Sequence, residues 1–248
     1  LERAQWLFKE SAEQNLEGAA LNNIGAIYIK LRKPQEAVNY LKKSLRLFEA
    51  VKDQENEAKT LHSLGAAYDD MHQWQSGIDH YSQALKLWKK AGQWAAAANT
   101  LYWLADSSSQ LEKWEQAIQA YKEALLLWSQ QNEQPWEGKT TKFAQAKTAF
   151  RIAELLAWHQ DKPEEAITYY KQALATLSVD EKEWIATIET QLSEVLIKLR
   201  RHTEALQYSI KAQYIFNQLN DKWSEVKRGR LNGIIYLEPK YGTKSLKR

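Results

Sequence analysis

The chain has 248 residues, 44% hydrophobic and 26% charged, with a net charge of +3. That balance predicts a folded, soluble protein and excludes a disordered one. Nine Gly and four Pro are too few for a turn-rich all-β fold, the absence of Cys excludes disulfide and thiolate chemistry, and no run approaches the ~18 apolar residues of a membrane span.

The elements, in chain order, are all helical. A first helix is expected near residues 1–14, carrying Ala4, Phe8 and Ser11, the pattern of a second helix whose partner is missing. The start, Leu1-Glu2-Arg3, has no initiator Met and no signal-peptide character, which reads as a segment of a longer, cytoplasmic polypeptide. Five helical pairs follow, near 17–51, 55–91, 94–131, 138–178 and 181–219, then a closing helix at 222–236. The expected total is twelve helices in one repeat domain over 1–236, with a basic tail at 237–248.

The pairs are repeats. Leu21-x-x-Ile24-Gly25-x-x-Tyr28 recurs as Leu61-x-x-Leu64-Gly65-x-x-Tyr68 and as Leu101-x-x-Leu104-Ala105-x-x-Ser108, 40 residues apart each time. A second string follows each: Ala37, Leu41 and Ser44; Gly77, Tyr81 and Ala84; Ala117, Tyr121 and Ala124; Ala166, Tyr170 and Ala173; and, more weakly, Ala205, Tyr208 and Ala212. Apolar residues at i, i+3, i+4 and i+7 make each string an amphipathic helix. Small residues (Gly25, Gly65, Ala105; Ala37, Gly77, Ala117) let paired helices approach to about 8–10 Å. One pair cannot bury its apolar face alone, so pairs must stack. Pro34 and Pro163 fall at second-helix starts, where a missing N–H costs nothing; Pro135 falls in a connection and Pro239 after the last helix.

At these residues the chain resembles the tetratricopeptide repeat family, in a variant with a 40-residue rather than 34-residue period. The resemblance implies an all-α, right-handed superhelical solenoid of antiparallel helix pairs. It also implies a protein-binding scaffold, with first helices lining a concave groove that takes a peptide or partner helix. The matching positions are Asn22, Asn23 and Lys30; His62, Ser63 and Asp70; Tyr102, Trp103 and Asp106; Arg151 and Glu154; and Gln191 and Lys198. Exposed aromatics and Arg there would serve as hot spots, and Asn side chains would hold a peptide backbone. The subclass that captures a C-terminal carboxylate is rejected: its positions read Asn22, Ala26, Ser63, Asn99 and Trp103, without cations.

The small-residue positions of the second helices run 37, 77, 117, 166 and 205, so one step is 49 and an insertion lies in 130–143. Of eleven Trp, the pairs Trp74/Trp114 and Trp88/Trp128 keep the 40-residue spacing and read as packing between repeats; Trp94, Trp184 and Trp223 read as junction residues. The five His show no metal spacing, and no phosphate loop or nucleophile motif occurs, so neither enzyme activity nor a cofactor is expected. Residues 221–248 carry +5, leaving −2 for the rest. That cluster admits electrostatic nucleic-acid binding, although Tyr241 is the only stacking residue of the tail. A further expectation is a regulatory arm that binds another domain of its own polypeptide.

Overall fold

The computed structural model describes residues 2–130 and 140–219. Among them are ten helices: α1 (Glu2–Lys30), α2 (Pro34–Val51), α3 (Gln54–Asp70), α4 (Trp74–Lys90), α5 (Trp94–Gln110), α6 (Trp114–Ser129), α7 (Thr141–Trp158), α8 (Pro163–Thr176), α9 (Lys182–Lys198) and α10 (His202–Leu219). They pack as sequential antiparallel pairs, α1 with α2 through α9 with α10. Two units divide the chain, Leu1–Trp136 with α1–α6 and Glu137–Arg248 with α7–α10.

The helix count corrects one expectation. No break separates residues 1–14 from the first repeat, because α1 runs unbroken from Glu2 to Lys30. The spacing explains it. Ala4 precedes Gly25 by 21 residues, whereas Ala37 precedes Gly65 by 28, so there is no length for a reversal. Gly18 does not break the helix either: it is buried under the Phe48 ring, and its carbonyl accepts the Ser44 hydroxyl at 2.7 Å. The expected closing helix, the tail, Pro135, Pro239, Trp223 and most of the insertion lie outside the described residues.

The small-residue seam packs as its spacing requires. A methyl at Gly25 would sit 2.6 Å from Leu41 Cγ, and one at Gly65 would sit 2.5 Å from the Tyr81 ring. Between pairs, Ala58, Leu61, Ala84, Trp88 and Ala97 form one core cluster drawn from α3, α4 and α5. Trp88 is buried within it and Trp128 is buried on α6, each contributing about 2–3 kcal/mol of apolar burial. Trp184 meets the rings of Phe143 and Phe150 edge-on at 5.6 and 5.7 Å. Trp94 does not behave as a junction residue, since it is 44% exposed.

Pro34 and Pro163 stand in the first turn of α2 and α8. Asp53 caps α3 through the Asn56 N–H, and Thr140 caps α7 through the Phe143 N–H. The turns use left-handed residues that are not glycine. Arg32, His72, Glu112, Asp161 and Arg200 have φ between 48° and 59° at the first-to-second-helix turns, and Lys52 takes φ 60° at a second-to-first turn, where Gly92 is its counterpart. Six of these turns close with the N–H of the following residue on a carbonyl five back, as in Lys33 to Tyr28. At Lys162 the bond reaches six back, to Leu156. That single extra residue places Ala153 in the Gly25 position of α7.

Candidate functional site

Within the first unit the first helices approach one another, α1 with α3 and α3 with α5, more closely than the second helices do. The stack therefore curves with the first helices inside. Polar contacts between successive repeats recur at one offset. Arg32 pairs with Asp70 (2.9 Å), His62 Nδ1 meets Thr100 Oγ1 (3.1 Å), the Ser107 hydroxyl donates to Asp69 (2.7 Å) and Lys113 Nζ donates to Gln75 (2.7 Å). Every partner lies 38 residues away, one repeat less two.

Asp69 and Asp106 are the acidic centre of this face. Asp69 Oδ2 accepts from Tyr81 (3.1 Å) and Ser107, and Asp106 Oδ1 accepts from Tyr121 (3.0 Å). Burial raises the Asp69 carboxyl to about 6; the hydroxyl donors oppose the shift, and the charges of Asp106 and Asp70 add to it. Its other oxygen, Oδ1, is shielded from solvent without a hydrogen-bond partner. A methyl at Gly77 would collide with that oxygen, which is why this second helix has Gly where the others have Ala.

The expected groove residues divide by exposure. Asn23 and Lys30 are exposed on α1, and Asn22 is half-buried with Oδ1 shielded and unpartnered. Ser63 is half-buried, its hydroxyl donating to the Lys59 carbonyl at 3.0 Å. Asp70 is held by Arg32, and Asp106 by Tyr121. Trp103 is half-buried and lies edge-on to Tyr102, ring centroids 5.5 Å apart.

Tyr102 is no surface group, and His62 is half-buried. Tyr102 is 3% exposed, wedged between Trp103 and Tyr121, so it supports the face from below and is no exposed hot spot. The His62 ring packs on Tyr81 at 5.2 Å, and burial lowers its pKa to about 4, so it is neutral at pH 7. Both stand three residues before the small residue of their helix, where the next repeat comes closest.

In the second unit, Arg151 pairs with Glu154 (3.0 Å), both half-buried. Lys198 pairs with Asp161 (2.8 Å) and lies 6.0 Å from the Trp158 ring centre, and Gln191 is half-buried. Asp69 stands at an expected groove position of α3, whereas Tyr81 and Ser107 were not among the expected site residues. The 38-residue offset between polar partners is the signal that finds Ser107.

The described residues hold no group of three or more acidic or His side chains able to bind a metal, and no helix long and apolar enough to cross a membrane. A family model described as tetratricopeptide repeat matches residues 16–90 and 58–130. Among solved structures, the chain is similar to the nearly identical repeats of a Podosopora anserina putative kinesin light chain: TM-score 0.66, 13% identity, 82% of this chain and 97% of that one. It is also similar to MamA from Desulfovibrio magneticus RS-1, with TM-score 0.64 and 14% identity over 83% and 98% of the two chains. BtubC from P. vanneervenii gives TM-score 0.60 and 18% identity over 86% and 90%. No curated protein matches the sequence.

Proposed function

Because the chain is a tetratricopeptide repeat protein, of a family that serves generally in protein interaction, we propose that it binds a peptide or helix of another protein along the inner face of its first unit. The observation that supports this reading is pre-organisation. Asp70 is paired with Arg32 of the α1–α2 turn and Asp106 with Tyr121 of α6, and Asp69 bonds α3 to α5 through Ser107. Ordering these groups costs little on binding, because folding has already fixed them.

Trp103 is the anchor. It is half-exposed, braced by Tyr102, and shares its register place with Asn23 and Ser63 of the preceding first helices. The acid side chains favour a basic or amide-donating partner segment. Arg151, Glu154, Gln191 and Lys198 offer the second unit's equivalent positions.

Trp103→Ala tests the reading, since it removes exposed aromatic surface and leaves Tyr102 in place. Proteins captured from lysate by the wild type should be retained at least about tenfold less by the variant, the range of a binding hot spot. The urea midpoint should shift little. Equal capture by both proteins would remove the inner face from consideration.

A further inference from the structure

We propose that the exposed stripe of α1 is an interface on which a second copy of the chain docks, α1 against α1 and antiparallel, to give a two-fold dimer. The stripe is Ala12, Leu16, Ala20, Asn23, Ile27 and Leu31, all exposed and on one side of the helix, with Ile24 at its edge. Leu16, Ile27 and Leu31 are 73%, 56% and 59% exposed. From Leu16 to Leu31 the row runs about 22 Å along one helix, a contiguous apolar patch and not a scatter of single side chains.

The repeat shows what this side of a first helix is for. Forty residues on, Ile24 becomes Leu64, Ile27 becomes Ala67 and Leu31 becomes Met71. Leu64 and Ala67 are fully buried with Ala37, Val38 and Leu41 of α2, and Met71 packs against the same cluster. The side of α3 that takes a second helix is therefore bare on α1. The second helix of a preceding pair is not placed to cover it by the usual turn. α2 passes into α3 through Lys52 and Asp53, which correspond to residues 12 and 13. α1 is helical there and continues back to Glu2, so the chain runs on past the face instead of folding over it.

Charge selects the occupant and its direction. Glu13 and Glu17 stand toward the N-terminal end of the stripe and Lys30 at its C-terminal end, all exposed. A parallel copy would set like charges side by side. An antiparallel copy brings Glu13 beside Lys30 of the partner subunit and opposes the two helix dipoles. The same register, centred between Leu21 and Asn22, sets Leu16 against Ile27 of the partner subunit and Ala12 against Leu31 of the partner subunit. Each of these contacts occurs twice, so the assembly closes at two copies. A single helix pair is at the small end of stable interfaces, so the dimer should be of micromolar strength.

The test uses the full chain. Sedimentation equilibrium at rising concentration should show monomer passing to dimer and no further. Ile27→Glu should raise the dissociation constant at least about tenfold while shifting the urea midpoint little, because the side chain is exposed in the single copy. Lys30→Glu should weaken the dimer too, and adding Glu13→Lys should restore it. The chain contains no Cys, so introduced thiols report only their own positions. Under oxidation, Leu16→Cys combined with Ile27→Cys should give a covalent dimer, whereas either substitution alone should not, since each position meets the other and not itself. A monomer at every concentration would overturn the proposal, whether the stripe stays bare or another partner covers it. So would a dimer indifferent to Ile27→Glu, cross-linking of Leu16→Cys alone, or a mass that grows without limit, the mark of a head-to-tail contact.

Discussion

Two ionisable side chains on the inner face of the first unit pull stability in opposite directions with pH. Asp69 is raised from its ordinary 3.8 to about 6, mainly by burial, so its folded form favours the proton. Its contribution is fully present below about pH 4 and is lost as pH rises to about 6. His62 is lowered from 6.5 to about 4 by burial, so the unfolded chain takes its proton first. Its contribution is present above about pH 6.5 and is lost as pH falls to 4. In urea titrations at several pH values, Asp69→Asn should therefore remove a fall in stability between about pH 4 and 6. His62→Gln should remove a rise over nearly the same window. Gly77 answers a steric demand of the same carboxylate. Gly77→Ala forces Asp69 Oδ1 aside and disturbs its bonds to Tyr81 and Ser107, at a cost of roughly 1–3 kcal/mol, measurable by chemical denaturation. The Gly at 77 was visible in the sequence as an exception in the Ala place. Its reason was not, because Asp69 lies on the preceding helix and reaches that spot only after the pair has closed.

The helices themselves were readable from periodicity, but their ends were less so. Reversals are expected at Gly, and five first-to-second-helix turns put Arg, His, Glu or Asp in the left-handed region. The positions 32, 72 and 112 keep the 40-residue period, which marks them as equivalent turns even though their residue types differ. Such residues carry strain of about 1 kcal/mol that glycine would not. Glu112→Gly should accordingly raise stability by about 0.5–1 kcal/mol in thermal or urea unfolding, since the Glu112 side chain is exposed and the residue's N–H keeps its bond to Ser109. Glu112→Val should lower it, because a β-branched side chain tolerates positive φ poorly. The unbroken α1 is the complementary lesson. The pattern Ala4, Phe8, Ser11 was read as a separate helix, but a helix pattern marks a face and does not mark a break.

Within each unit, a pair depends on its neighbour. Leu64 is fully buried with Ala37, Val38, Leu41 and Ala67, so the cluster belongs to α2 and α3 together. Leu64→Ala should cost about 2–5 kcal/mol in urea unfolding, with hydrogen-exchange protection lost first in α2 and α3. The all-helical class, the 40-residue repeat, the small-residue seam and the family resemblance followed from sequence, because each rests on spacing along one or two helices. Exposure did not. Tyr102 and His62 occupy the same register place as Asn22, yet Tyr102 is sealed beneath Trp103 and His62 is tied to Thr100. Which side chain at that place faces outward depends on its size and on the neighbour stacked 38 residues away. The repeat was determined by the sequence alone because helix periodicity is local; which side chains of the first helices stay exposed was decided by tertiary structure because burial depends on what the next pair brings against it.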